Sequence, residues 1–155
     1  MNKREKIDLL LKYAIELKNI LDEEIKNPDN KEFDSSKFEG DKNLDGENWE
    51  KTYTHYYASN YGRIRYKSDK GMIIPQRKQD GNLYLDREKW LKKCAENNIE
   101  SVKISTEVFV YTYIAEAFNL NKEGYAIHHI NRNGYDNRLE NLLALPKWIH
   151  DHLCE

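Results

Sequence analysis

The 155-residue sequence contains only two cysteines, Cys94 and Cys154, and no apolar run long enough to cross a bilayer. The cysteines form no C-x-x-C pair, so neither a zinc knuckle nor a dithiol redox motif is indicated. The start, Met1-Asn-Lys-Arg4, is basic but lacks the apolar core of a secretory signal. Two free thiols without such a signal point to a reducing compartment, and the expected location is the cytoplasm. An excess of positive charge is also missing, the formal net charge being −2. That total looks wrong for a phosphate-binding protein until the chain is divided. Residues 1–48 carry 9 basic and 13 acidic side chains, residues 49–93 carry 11 and 5, and residues 94–155 carry 5 and 9. Basic charge is therefore concentrated in the middle third, and its placement matters more than the sum.

Four segments are expected: an amphipathic helix over 1–26, a polar acidic linker over 27–48, a sheet and helix module over 49–120, and a C-terminal motif over 121–155. In the first, Ile7, Leu10, Leu11, Ala14, Leu17, Leu21 and Ile25 recur at steps of three and four. Such a helix can dock on its own domain, pair with a second copy or hold a protein partner. Asn27-Pro28-Asp29-Asn30 ends it, and the chain to Asn48 has too few apolar residues for a core. Asn60 and Gly62 suit a turn, Arg63–Tyr66 alternates as a strand, and Asp69–Gly71 and Asp80–Asn82 mark turns around further strands at Met72–Pro75 and Leu83–Leu85. A helix capped by Asp86 follows, with Trp90, Leu91 and Cys94 or Ala95 inward, and then extended Val102–Ile104. The class is α+β, a small antiparallel sheet module followed by a compact C-terminal motif.

The densest chemistry is at the C-terminal end. His128 and His129 close a short apolar run, so in a strand they point to opposite faces and one residue cannot do both jobs. One imidazole can face inward to bind a metal ion while the other faces a water molecule. Asn141 opens a second apolar run, and His150 lies about one turn past Pro146, which suits the first turn of a helix. Two adjacent histidines alone would also suit a plain strand edge, with His150 and His152 solvated.

This His-His…Asn…His order resembles the HNH endonuclease family, whose ββα-metal site is built from two strands, a loop and a helix. The segment Asp136-Asn-Arg-Leu-Glu-Asn-Leu142 is similar to the family's Asp-Asn-Arg-x-x-Asn-Leu phrase, while Asn131 stands where many members carry Asp. Tyr56-Tyr-Ala-Ser-Asn-Tyr-Gly-Arg-Ile-Arg65 resembles the nuclease-associated module that precedes many phage and homing-type members, and Val110–Phe118 resembles the helix that follows the sheet in that module, with Val110, Ile114, Ala117 and Phe118 as its apolar face; the helical stretch Asp86–Asn97 is an addition to that pattern. The resemblance implies hydrolysis of DNA phosphodiester bonds, in a bacterial host's cytoplasm if the gene is phage-encoded. It implies His129 as general base, Asn141 as the residue that fixes the base's ring, and His128 and His150 as ligands of one divalent metal ion. Mg²⁺ and Mn²⁺ are the first candidates, with Zn²⁺ and Ni²⁺ compatible. Candidates for DNA contact are Arg63, Arg65, Lys67, Arg77 and Lys78 in the basic module, and Arg132, Asn137 and Arg138 in the loop. The competing expectation is a nucleic-acid- or protein-binding regulator or inhibitor built on the same fold.

Overall fold

A computed structural model describes residues 1–26 and 33–153. The expected helix end at Asn27–Asn30, the first part of the linker and Cys154 lie outside the described residues. Helix α1 spans Lys3–Lys26. Among the described residues its C-terminal half is the part that packs: Leu21 is 4% exposed and lies with Leu17 against Ile130, Leu143, Leu145 and Ile149. Ile7, Leu10 and Leu11 keep 56, 65 and 49% of their surface, so the periodic stripe runs on beyond the surface that receives it. Among the described residues no helix is long and apolar enough to cross a membrane.

The basic module forms two small antiparallel sheets. Strands β1 (Trp49–Lys51), β2 (Tyr56–Ser59) and β3 (Ile64–Tyr66) make the first, in that order. Strands β4 (Gln76–Gln79) and β5 (Asn82–Leu85) make a hairpin paired Gln76↔Leu85 through Gln79↔Asn82. Asp80 and Gly81 connect them, both with positive φ (50° and 83°), the backbone that a tight two-residue hairpin demands. The strand expected at Met72–Pro75 thus begins later, at Gln76; within 72–75 only Ile73 bridges β3, at Arg65.

Helix α2 (Arg87–Glu96) is capped as expected, Asp86 accepting from the Lys89 N–H at 3.1 Å. Trp90 and Cys94 face inward; Leu91 and Ala95 are exposed. Residues 102–104 are not in a strand, although Ile104 is buried. Helix α3 (Val110–Ala117) buries Val110, Tyr113, Ile114 and Ala117 against β2 and β5. These residues join Tyr56, Ala58, Ile64, Ile74, Leu85, Trp90 and Leu142 in one core. The C-terminal motif is a hairpin of β6 (Tyr125–His129) and β7 (Leu142–Pro146), followed by α4 (Lys147–Leu153). Pro146 is the last residue of β7, paired with Tyr125, and the helix starts one residue after it. Leu142 lies in the main core, so the motif and the basic module share apolar contacts.

The 33–48 stretch is not a loose linker. Arg63 and Arg65 lie beneath it, 4% and 2% exposed. Arg63 donates to the carbonyls of Gly40 (2.6 Å) and Lys42 (2.7 Å) and pairs with Glu47. Arg65 donates to Asp41 O, Asn43 Oδ1 and Asp69 O at 2.5–2.7 Å, with its guanidinium over the Trp49 ring at 4.1 Å. A Ser35–Phe38 3₁₀ turn capped by Asp34 completes the segment.

Candidate active site

Strand β6 sets the two histidines against different neighbours, the His150 ring for His128 and the Asn137 amide for His129. His128, opposite Leu143, is 5% exposed, while His129, opposite Leu142, is half-buried. Helix α4 swings back so that the His150 ring stands edge-on to that of His128, centroids 5.9 Å apart. The three histidines line one cleft of about 280 Å³ with Ile127, Arg132, Gly134 and Gly81, the last from the tip of the β4–β5 hairpin. The wall of the cleft thus comes partly from the basic module.

Electrostatics keep the two β6 imidazoles neutral. Burial, then the neighbouring His150, Arg132 and His129, holds His128 down at about 4. A neutral ring has a free lone pair for a metal ion at neutral pH. Burial also lowers His129; the bond from its ring to Asn137 and the charge of Asp136 oppose that shift. A group that is unprotonated at neutral pH can serve as a base.

Two expectations about the loop change. Asn141, the expected partner of the base's ring, spends its amide on the loop instead. Its Oδ1 accepts from Asn131 N at 3.0 Å, and its Nδ2 donates to Asn131 Oδ1 at 2.8 Å and to Asp136 O at 2.9 Å. The side chain on the ring is Asn137, whose Oδ1 lies 2.7 Å from His129 Nε2. Asn137, an expected DNA contact, is 3% exposed and faces inward. Buried Asp136 ties the loop together, accepting from Asn131 Nδ2 (2.7 Å) and from Arg138 Nε and Nη2 (2.8 and 2.7 Å). The Asp-Asn-Arg run in the sequence signals a braced loop, and nothing in its spacing shows which asparagine meets the base.

The remaining candidates divide by exposure. Arg63 and Arg65, expected to meet phosphate, are inside, because the 38–47 carbonyls and Glu47 take their donors. Arg138 is half-buried in pairs with Asp136 and Glu140. Arg77 donates to Thr106 O and lies over Tyr84, still partly open. Lys67 and Lys78 are exposed over Tyr66 and Tyr135. Arg132, also exposed, stands in the cleft itself on a left-handed residue, φ 59°.

His128 and His150 fit a divalent metal: both are imidazoles, close together in one solvent-reached cleft, and burial keeps His128 neutral at pH 7. Among the described residues no group of three or more His, Cys, Asp or Glu side chains could hold an ion. The protein would supply two nitrogens and leave the other positions to water and phosphate.

Residues 114–152 match the model of the HNH endonuclease family. No curated protein matches the chain. Among solved structures it is similar to one described as DNA binding and cleavage by the HNH homing endonuclease I-HmuI, with a TM-score of 0.48 and 20% identity. That alignment takes in 68% of this chain and 56% of the other, so the chain spans little more than half of that protein's length.

Proposed function

We propose that this chain, a nuclease by its HNH endonuclease domain at residues 114–152, is a metal-dependent DNA endonuclease of the phage or homing type, working in the cytoplasm. The observation that carries the reading is the convergence of His128, His129 and His150 on one cleft from a strand and a helix. His129 takes the proton of the attacking water, a task suited to an imidazole that burial keeps unprotonated. His128 and His150 hold a divalent ion, Mg²⁺ or Mn²⁺ by supply. When bound, the ion neutralises charge on the scissile phosphate and on the departing 3′-oxygen. Arg132, at the mouth of the same cleft, orients the phosphate by its charge. Lys67, Arg77 and Lys78 extend the contact over the basic module, where they position a duplex without reading its sequence.

Supercoiled plasmid incubated with the full chain, with and without Mn²⁺, tests the reading in one gel. Nicked or linear product that requires the ion, and disappears in His129→Ala, is the expected result. DNA bound but left intact under every metal condition would favour the regulator built on a nuclease fold.

A further inference from the structure

We propose that Asn137 is the positioning residue for His129, and that the Ser59–Gly62 turn of the basic module, by seating Asn137, is a working part of the active site. The proposal rests on His129 being the base.

The amide of Asn137 differs from that of Asn141 in how it is used. Asn141 makes bonds at both ends, all to the loop. Asn137 directs its oxygen at His129 Nε2, and its Nδ2, buried, has no hydrogen-bond partner among the described residues. A buried amide kept for loop structure would have both ends satisfied. This one is held with a single side-chain bond, and that bond goes to the base.

An amide oxygen only accepts, so the ring must carry its proton on Nε2. The lone pair is then on Nδ1, which fixes the side of the ring that can take a proton from water. Tyr111 restrains the same ring, its edge-on contact at 5.4 Å limiting tilt.

Asn137 is in turn seated on another module. A Cβ at Gly62 would lie 3.0 Å from the Asn137 carbonyl carbon and oxygen and 3.2 Å from its Cβ, so any side chain there would push the Asn137 backbone back by a few tenths of an ångström. Gly62 also has φ +82°, in the left-handed region that favours glycine. Two more bonds fix the approach. Leu139 N donates to Asn60 O at 2.8 Å, and Gln76 Nε2 donates to Gly62 O at 2.9 Å. The chain of contact therefore runs from Gly62 through Asn137 to His129, and the basic module sets the base as well as the duplex.

The test uses the full chain with Mg²⁺ and joins a spectroscopic readout to a kinetic one. Imidazole ¹⁵N shifts should show His129 as the Nε2–H tautomer in the wild type and as a tautomer mixture in Asn137→Leu. Asn137→Asp, which keeps an acceptor, should restore the single tautomer. Plasmid cleavage should fall in kcat by roughly 10–100-fold for Asn137→Leu, the usual cost of removing the partner that orients an imidazole, with KM and Mn²⁺ affinity unchanged. Asn137→Asp should stay within several-fold of wild type. Gly62→Ala should lower kcat in the same way with DNA affinity kept. If that variant fails to fold, the Leu and Asp pair at Asn137 still decides the matter. An Nδ1–H tautomer in the wild type, or an unchanged kcat in Asn137→Leu, overturns the proposal. Absence of cleavage in the wild type with the Nε2–H tautomer intact would instead remove the endonuclease reading.

Discussion

Glu47 and Arg63 form a buried bidentate ion pair, Nε to Oε2 at 2.8 Å and Nη2 to Oε1 at 2.5 Å, with the carboxylate side chain fully covered. Breaking one side of such a pair leaves a buried charge without its partner, so Arg63→Ala should cost about 3–5 kcal/mol in urea unfolding. Lys67→Ala, two residues past Arg65 on the surface, should cost within roughly 0.5 kcal/mol. Equal effects would mean that Arg63 is not the anchor of the 38–47 segment.

The same pair sets an acid limit. Burial of Glu47 raises its pKa, but the bonds from Arg63, Leu44 N and Ser59 outweigh it, and the net shift is downward. A carboxylate lowered on folding contributes stability that is present above its ordinary value and is lost as pH falls through the folded one. The urea midpoint should therefore drop between neutral pH and the acid side of the carboxylate range. Glu47→Gln should remove part of that drop while lowering stability at pH 7. A mutant with the wild-type pH slope would assign the acid sensitivity to other carboxylates.

Much of the site is legible in the sequence because its signals are local. Adjacent histidines in a strand must face opposite ways, a late histidine on a short helix can turn back, and Asp80-Gly81 and Asp86 announce a hairpin and a cap. What is not legible is non-local. Arg63 and Arg65 lie in a basic, tyrosine-rich stretch that reads as a surface; they are covered only because residues 38–47 return over them. Ile7 and Leu10 repeat with helical period like core residues yet stay exposed, while Leu17 and Leu21 farther along reach a surface that receives them. Asn137 and Asn141 both follow His129 in one loop, and the fold of that loop, held by Asp136, decides which amide meets the ring.

If His128 and His150 are the metal's protein ligands, either alanine substitution leaves one nitrogen in place. Partners that only orient a ligand cost roughly 10–100-fold in affinity, so removal of a ligand should cost at least as much. Calorimetric titration with Mn²⁺ or Zn²⁺ measures it. His129→Ala should bind the ion as the wild type does, and unchanged affinity in both ligand mutants would place the ion elsewhere.

The exposed cations should govern DNA affinity where the buried ones do not. Neutralising Lys67, Arg77, Lys78 and Arg132 together should flatten the dependence of log affinity on log salt by about 0.9 for each duplex phosphate that is no longer neutralised, and equally across sequences. Fluorescence anisotropy over a salt series reads that slope. An unaltered slope would put the duplex on another face, with Lys92 on α2 the next cation to test.

Gly134 is needed for space alone. It is not among the residues with positive φ, yet a Cβ there would be driven into the Gly81 carbonyl and set 3.1 Å from Asn82 Oδ1. The carbonyl does not yield easily, since Gly81 is held in the tight turn between β4 and β5. Gly134→Ala must therefore push the loop after β6 off the hairpin tip, at an overpacking cost of about 1–3 kcal/mol. Because Gly81, Gly134 and Arg132 line the same cleft as the three histidines, the displacement should also lower turnover. Gly124→Ala is the control. Gly124 has φ +79° but open space around its Cβ position, so alanine there strains only the backbone, at about 1–2 kcal/mol. At a temperature where both variants stay folded, Gly134→Ala should lose plasmid cleavage and Gly124→Ala should keep it. Wild-type cleavage by Gly134→Ala would mean that the hairpin tip does not support the loop.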